Sequence, residues 1–309
     1  MIHTITLNPA VDRELTVPEI IYDEVLRATE ARIDFGGKGF NVSRILIGLG
    51  TLNKAVGFLG GRSGELLQDG LQSLGIATDF VWVPGETRTN VSIVTQSNDR
   101  YIKVNEKGPQ IDAARQAELL QKIDQLAKPG DWWVIAGSLP PGISADYYAK
   151  IVHVLNAKHS QVLLDTSDEA LRFGLQEKPY LVKPNALEAH VLTGLPVDTP
   201  QQIKTVAAAV RQLGAQNVVI SMGKQGALLQ TDQGTWLTHS PKIKEMNPIG
   251  AGDSMVGGLV YALSQGYSVK ESLGWGVASG AATASLPGTQ VGTLPLIESL
   301  LPKVVFEEI

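Results

Sequence analysis

Asn247-Pro248-Ile249-Gly250-Ala251-Gly252-Asp253-Ser254 runs directly into Met255, Val256, Leu259, Val260 and Leu263. These apolar residues recur at three- and four-residue steps, the period of a helix face, and Gly257 and Gly258 would let that face pack closely. Asp253 therefore falls in the first turn of a helix. Gly250, Ala251 and Gly252 keep side chains out of the way, so backbone N–H groups and the positive end of the helix dipole can converge on an anion. Phosphoryl transfer needs that pairing: donors for the charge on the migrating group, and a carboxylate to accept the proton of the attacking hydroxyl. A plain Asp N-cap after a glycine turn has the same sequence appearance. The octapeptide alone leaves both readings standing. At a helix N-terminus such an Asp is expected to stay ionised into mildly acidic pH.

A second glycine turn feeds a second helix. Phe35-Gly36-Gly37-Lys38-Gly39-Phe40-Asn41 precedes Val42, Ile45, Leu46 and Leu49, again a helical stripe, and the loop lacks Walker A spacing. Gly37 and its neighbours can bring backbone close to a ligand, Lys38 can supply a point charge for a phosphate, and Asn41 can bond hydroxyls. The alternative is a glycine loop with a solvated lysine. Upstream, Ile2 to Leu7 reads as a strand stopped by Asn8-Pro9, which places Asp12 just past a strand end, as a hydroxyl ligand or a solvated turn residue. Gly57 to Gly64 follows another apolar strand toward the same edge.

Glu14 to Phe35 is short, polar and β-like. Val81 to Val83, Asn90 to Gln96 and Tyr101 to Val104 read as further strands, the last two a hairpin across Ser97-Asn98-Asp99-Arg100, and together these segments suggest a lid. Beyond a polar helix, Asp131 to Ala136, Val162 to Asp165, Tyr180 to Val182 and Val218 to Met222 are short apolar strands alternating with helices. That alternation predicts a mostly parallel sheet covered on both faces. Ligands in such sheets bind beyond the carboxyl ends of the strands, where Ser138, Asn185 and Gly223 fall. In Lys183-Pro184-Asn185-Ala186-Leu187-Glu188 the Asn and Glu are three apart, a spacing that suits hard oxygen ligands for Mg²⁺ or a helix-start cap.

Composition narrows the function classes. With 309 residues and 43% hydrophobic content the chain can bury a large core, and one large unit with an appendage is expected. Net charge is -5, with 26 basic and 31 acidic residues intermixed, so there is no basic block for nucleic acid. There is no cysteine for a disulfide or thiolate metal site, no charged leader ahead of the first strand, and no apolar run near the roughly 18 residues that span a bilayer. A cytoplasmic protein with no membrane or nucleic-acid partner is expected.

Gly250-Ala251-Gly252-Asp253, taken with Gly36-Gly37-Lys38-Gly39-Phe40-Asn41, resembles the two signatures of the ribokinase-like (PfkB) sugar kinases. Thr6-Leu7-Asn8-Pro9-Ala10-Val11-Asp12 and the Ile249 to Tyr261 run are similar to its phosphosugar-kinase branch, and the likeness runs nearly end to end. The resemblance implies an α/β fold: one ribokinase-like domain over 1–309, with a central, mostly parallel sheet flanked by helices on both faces and a β-sheet lid formed by about 12–35 and 86–106. It implies ATP-dependent phosphorylation of a phosphorylated ketohexose, fructose 1-phosphate to fructose 1,6-bisphosphate first and tagatose 6-phosphate as the alternative acceptor. A non-catalytic sugar-phosphate sensor is the rival from another class.

The implied roles follow residue by residue. Asp253 is the base and Gly250, Ala251 and Gly252 shape the anion hole. Asp12, Gly37, Lys38, Asn41, Arg88, Asn90, Lys103 and Ser138 face the acceptor, with Lys38, Arg88 and Lys103 on its phosphate. Lys183, Asn185, Ser221, Gly223, Gly226, Gly252 and Ser279 face ATP, Ser279 standing in a small-residue helix, Gly274 to Ala284, where relatives often carry Asn. Glu188 and Asn185 support Mg²⁺ through water. Relatives in this family often bind K⁺ beside the anion hole and often form a homodimer through the lid, so both belong to the expectation.

Overall fold

The structure is a computed structural model that describes residues 1–96 and 100–309. The chain opens with β1 (Ile2–Thr6), β2 (Ala10–Val17), β3 (Glu30–Gly36), α1 (Lys38–Gly48), β4 (Asn53–Leu59), α2 (Gly61–Ser73) and β5 (Ala77–Trp82). It continues through β6 (Arg88–Thr95), β7 (Tyr101–Asn105), α3 (Ala113–Leu126), β8 (Trp132–Ala136), α4 (Tyr147–Ala157), β9 (Gln161–Asp165), α5 (Asp168–Gln176) and β10 (Leu181–Val182). The last part holds α6 (Ala186–Thr193), α7 (Pro200–Gln212), β11 (Asn217–Ser221), β12 (Ala227–Gln230), β13 (Thr235–His239), α8 (Ala251–Ser264), α9 (Val269–Ala284), α10 (Leu294–Leu300) and β14 (Val305–Glu308).

Ten strands form one sheet in the order β14-β13-β12-β11-β10-β9-β8-β1-β4-β5. From β11 to β5 all neighbours run parallel, and the β11 to β14 edge is antiparallel. The mostly parallel sheet expected from the strand–helix alternation is therefore present. Along β8 the side chains alternate between two cores. Trp133 and Ile135 pack with Tyr148, Ile151 and Leu155 of α4 on one face. Val134 and Ala136 pack with Ile45 of α1, Val256 of α8 and Ala278 of α9 on the other. Burial on both faces explains why these strands read as continuous apolar runs.

A separate sheet has the order β3-β2-β6-β7. In its register Asp12 stands opposite Asp34 and Asn90, and Glu14 opposite Arg32 and Ser92, which itself pairs with Lys103. Direct partners share a face, so Asp12, Asn90, Arg88 and Lys103 lie on one polar face while Leu15, Ile33, Val91, Ile93, Ile102 and Val104 lie on the other. One expectation needs correction. Val81 to Val83, expected in the lid, belongs elsewhere: β5 pairs parallel with β4 and closes the edge of the large sheet, because an apolar stretch can pair with whichever strand the crossover delivers it to. Of the expected hairpin turn, Ser97, Asn98 and Asp99 lie outside the described residues.

Candidate active site

Helix α8 begins where the sequence places it. Its N-cap is Gly250, at φ 79°, and Asp253 is its third residue. The Asp253 side chain makes no cap; Oδ2 instead accepts a hydrogen bond from Asn41 Nδ2 at 2.7 Å, across from α1. The plain-cap alternative for Asp253 is thus at odds with the geometry. The Ala251 N–H turns back to the Pro248 carbonyl at 3.2 Å, which takes it out of the expected anion hole. The amides of Gly252 and Asp253 have no backbone acceptor among the described residues. A Cβ built on Gly250 or Gly252 meets nothing within 4 Å. A donor pair at a helix N-terminus therefore faces open space, with a carboxylate at its side.

Three more charges converge there from the strand ends. Asp165 closes β9 and is 1% exposed; its Oδ1 lies 3.2 Å from Lys183 Nζ, just past β10, and its Oδ2 lies 3.7 Å from Lys38 Nζ at the start of α1. Neither oxygen has an aligned hydrogen-bond donor, so the pairing is chiefly one of charge. Burial alone would depress the Lys38 ammonium, but Asp165, Asp253 and Glu188 outweigh it and hold its pKa above the ordinary lysine value. Burial, reinforced by the charge of Asp165, pushes Asp253 up to about 6 against the Asn41 hydrogen bond and the Lys38 and Lys183 charges. The expectation that Asp253 stays ionised into mildly acidic pH is corrected: desolvation and a like charge outweigh the helix terminus. A carboxylate near 6 is suited to accept a proton at neutral pH.

On the small sheet, Asn90 Nδ2 donates to Asp12 Oδ1 at 2.7 Å. Burial raises the Asp12 pKa, opposed by that bond and by Lys103. Lys103 itself is exposed. Arg88 differs from the expected free clamp, since Nη2 donates to the Asn8 carbonyl at 2.9 Å, Nη1 to Glu106 at 3.2 Å and Nε to Pro9 at 3.4 Å. It fastens the small sheet to the end of β1 and keeps only part of its donor set for a ligand. Ser138, just past β8, is exposed and 3.5 Å from Asn8 Nδ2.

At the β10 and β11 ends, Asn185 and Glu188 form a reciprocal capping box: each backbone N–H donates to the other's side-chain oxygen at 2.8 Å. The helix-start cap is therefore realised. The box uses one oxygen of Glu188 and leaves the other for a metal-bound water. Among the described residues no group of three or more His, Cys, Asp or Glu could cage a metal. One free carboxylate oxygen and an amide are hard oxygen donors of the kind that hold a Mg²⁺ through its waters. Ser221 pairs with Asn185 in an isolated bridge, and Gly223, at φ 57°, faces open space.

Two expected nucleotide residues do not face a cleft. Ser279 is fully buried, and a Cβ on Gly258 would lie 2.3 Å from its Oγ, because the small residues of α8 and α9 let the two helices close on each other. Gly226 is needed for a different reason than expected, as a Cβ built on it would lie only 2.0 Å from the Thr238 carbonyl oxygen of β13. Asp165, conversely, is a site residue that sequence reasoning misses. It ends a strand legible as an apolar run, and only the adjacency of β9 and β10 reveals its partner Lys183.

Residues 5–296 match the family model described as pfkB family carbohydrate kinase. The chain is 35% identical over 98% of its length to 1-phosphofructokinase of Bacillus subtilis, covering 98% of that protein. It is 34% identical over 92% of its length to 1-phosphofructokinase of Borreliella burgdorferi, covering 92% of that protein. It is also similar to the crystal structure of phosphofructokinase-2 from Escherichia coli in complex with potassium, with a TM-score of 0.93, 28% identity and 98% of both chains covered.

Proposed function

The chain belongs to the pfkB family of carbohydrate kinases, an ATP-dependent sugar kinase, and we propose that its acceptor is fructose 1-phosphate, converted to fructose 1,6-bisphosphate. The observation that carries the chemistry is Asp253 at the first turn of α8, hydrogen-bonded to Asn41, beside the unpaired amides of Gly252 and itself. Asp253 takes the proton of the attacking hydroxyl, and the two amides with the α8 N-terminus receive the charge of the migrating phosphoryl group. Asn41 orients the carboxylate. Lys183, held on Asp165, supplies positive charge beside the reacting groups, and Lys38, on the other Asp165 oxygen, would meet the acceptor's phosphate.

Asn185 with Glu188 would hold the waters of a Mg²⁺ carried with ATP, which would shield the nucleotide phosphates. Asp12, Asn90 and Lys103 on the polar face of the small sheet would receive the acceptor, the sheet over about 12–35 and 86–106 acting as a lid on one ribokinase-like unit. A K⁺ beside the anion hole and a cytoplasmic location belong to the same reading. The opposite face of that sheet, where Ile33 is 52% and Val104 60% exposed, supports a homodimer formed through the lid. Among the described residues no helix is long and apolar enough to cross a membrane.

Fructose 1-phosphate, tagatose 6-phosphate, fructose 6-phosphate and free ketohexoses, each assayed with ATP and Mg²⁺, test the assignment. Fructose 1-phosphate should give the highest kcat/KM. A higher value for tagatose 6-phosphate would move the assignment to that acceptor, and ATP consumption with none of them would contradict it.

A further inference from the structure

Arg44 lies one helical step beyond Asn41 on α1, away from the groups that would touch substrate. Its Nη1 donates to Asp34 Oδ1 on β3 at 2.9 Å, and its Nη2 donates to the Thr289 carbonyl, in the stretch after α9, at 3.0 Å. Both charged side chains are largely covered, at 17% and 20% exposure. Each partner leads to a different half of the site. Asp34 stands directly opposite Asp12, which holds Asn90. Next to Thr289, the Gly288 carbonyl accepts from Asn247 Nδ2 at 2.7 Å, and Asn247 Oδ1 accepts from the Ile249 N–H at 3.0 Å, one residue before the Gly250 cap.

We propose that Arg44 is a positioning residue that couples the small sheet to the turn carrying Asp253. This rests on the kinase reading above, in which the small sheet holds the acceptor and the 250–253 turn receives the phosphoryl group. In-line transfer needs those two parts aligned at once, and a misplacement of about 1 Å costs on the order of a hundredfold in rate. A guanidinium suits the task because its planar fork holds two acceptors in fixed directions, which an ammonium on a flexible stem does not. The contacts run without a gap from β3 to Gly250. Contiguity alone does not establish coupling, so the test measures the coupling itself.

Hydrogen exchange on the ligand-free full chain reads the two ends without any substrate, so its outcome does not depend on which acceptor is correct. Arg44→Ala should speed exchange at β3 and also at the hydrogen-bonded amides of Ile249 and Ala251 by roughly three- to tenfold, with the strands of the large sheet unchanged. Arg44→Lys keeps the charge opposite Asp34 and should restore protection at β3 but not at Ile249 and Ala251. In steady state Arg44→Ala should lower kcat for the best acceptor about tenfold, Arg44→Lys should not recover it, and Asp34→Asn added to Arg44→Ala should cost little more. Unchanged exchange at the Ile249 and Ala251 amides in Arg44→Ala would overturn the proposal. Full recovery of kcat by Arg44→Lys would also overturn it, reducing Arg44 to a local ion pair.

Discussion

At the amino-terminal end of β1 and β8, His3 and Asp131 are as buried as Asp165 and Asp253 are at the carboxyl-terminal ends of the sheet. The two clusters treat their charges differently. His3 stacks on Trp133 at 4.1 Å with 12° between the planes, and burial holds its pKa down to about 4 against the pull of Asp131. Asp131 is satisfied in part by the Lys128 N–H at 3.2 Å. The other Asp131 oxygen accepts from the Met1 ammonium at 3.0 Å, so that end is closed on its own partners. At the other end Asp165 and Asp253 face Lys38 and Lys183 around glycines whose missing side chains open onto free space. Burial of titratable groups is common to both, and what separates the functional end is unpaired amides and room for a ligand.

Four substitutions bear on that contrast. The largest effect is expected from Asp165→Asn, which leaves Lys183, 5% exposed, without its counter-charge. Stability should fall by roughly 3–5 kcal/mol in denaturant titration, since breaking a buried pair strands its partner. A loss under about 1 kcal/mol would mean that Lys183 finds another partner or is hydrated, and the pairing would lose its importance.

Next comes the acceptor side. Lys38→Ala should raise KM for the phosphorylated ketohexose by about 10- to 100-fold and KM for ATP much less, with a smaller loss of stability than Asp165→Asn because Asp165 keeps Lys183. Arg88→Ala should raise the same KM and also lower the melting temperature, because it releases three carbonyl contacts. Equal KM rises for both substrates with Lys38→Ala would remove Lys38 from the acceptor site.

The smallest effect on turnover is expected from His3→Gln, with kcat within about twofold of the parent, as for a site far from the chemistry. Its signature is in acid. Because folding depresses the His3 pKa from 6.5 to about 4, the stability it contributes is present above pH 6.5 and lost as pH falls toward 4. The parent should therefore lose more stability than His3→Gln between about pH 7 and pH 4.5. Parallel pH profiles would show that His3 is not held neutral by the fold.

Much of this is legible in residue order alone. The glycine turn and apolar stripe after Asn247 place α8 correctly, and the parallel sheet follows from apolar runs short enough to be strands and spaced by helices. Pairings between elements are less visible. Asp165 meets Lys183 only because β9 lies beside β10, and Arg44 looks like an ordinary surface residue of α1 until β3 and Thr289 are placed against it. Ser279 shows the converse: its small-residue helix could serve a ligand or another helix, and in the fold the neighbouring α8 takes that face. The Asp253 pKa departs from expectation for a related reason. The helix terminus is written in the local sequence, whereas burial and the Asp165 charge come from distant segments.

The central claim is that Asp253 accepts a proton rather than caps a helix, and Asp253→Asn tests it most directly, because Asn caps as well as Asp. The purified variant should bind ATP and the phosphorylated ketohexose with near-parental affinity and lose about 10²- to 10⁴-fold in kcat. Its stability at about pH 7.5 should equal or exceed that of the parent. A carboxyl raised to about 6 contributes stability that is complete below its unfolded value of 3.8 and lost as pH rises through 6, so any advantage of the variant should shrink toward pH 4. In the parent, kcat/KM should fall as pH drops through about 6. A folded Asp253→Asn protein that keeps kcat within a few-fold of the parent would contradict the account at its centre.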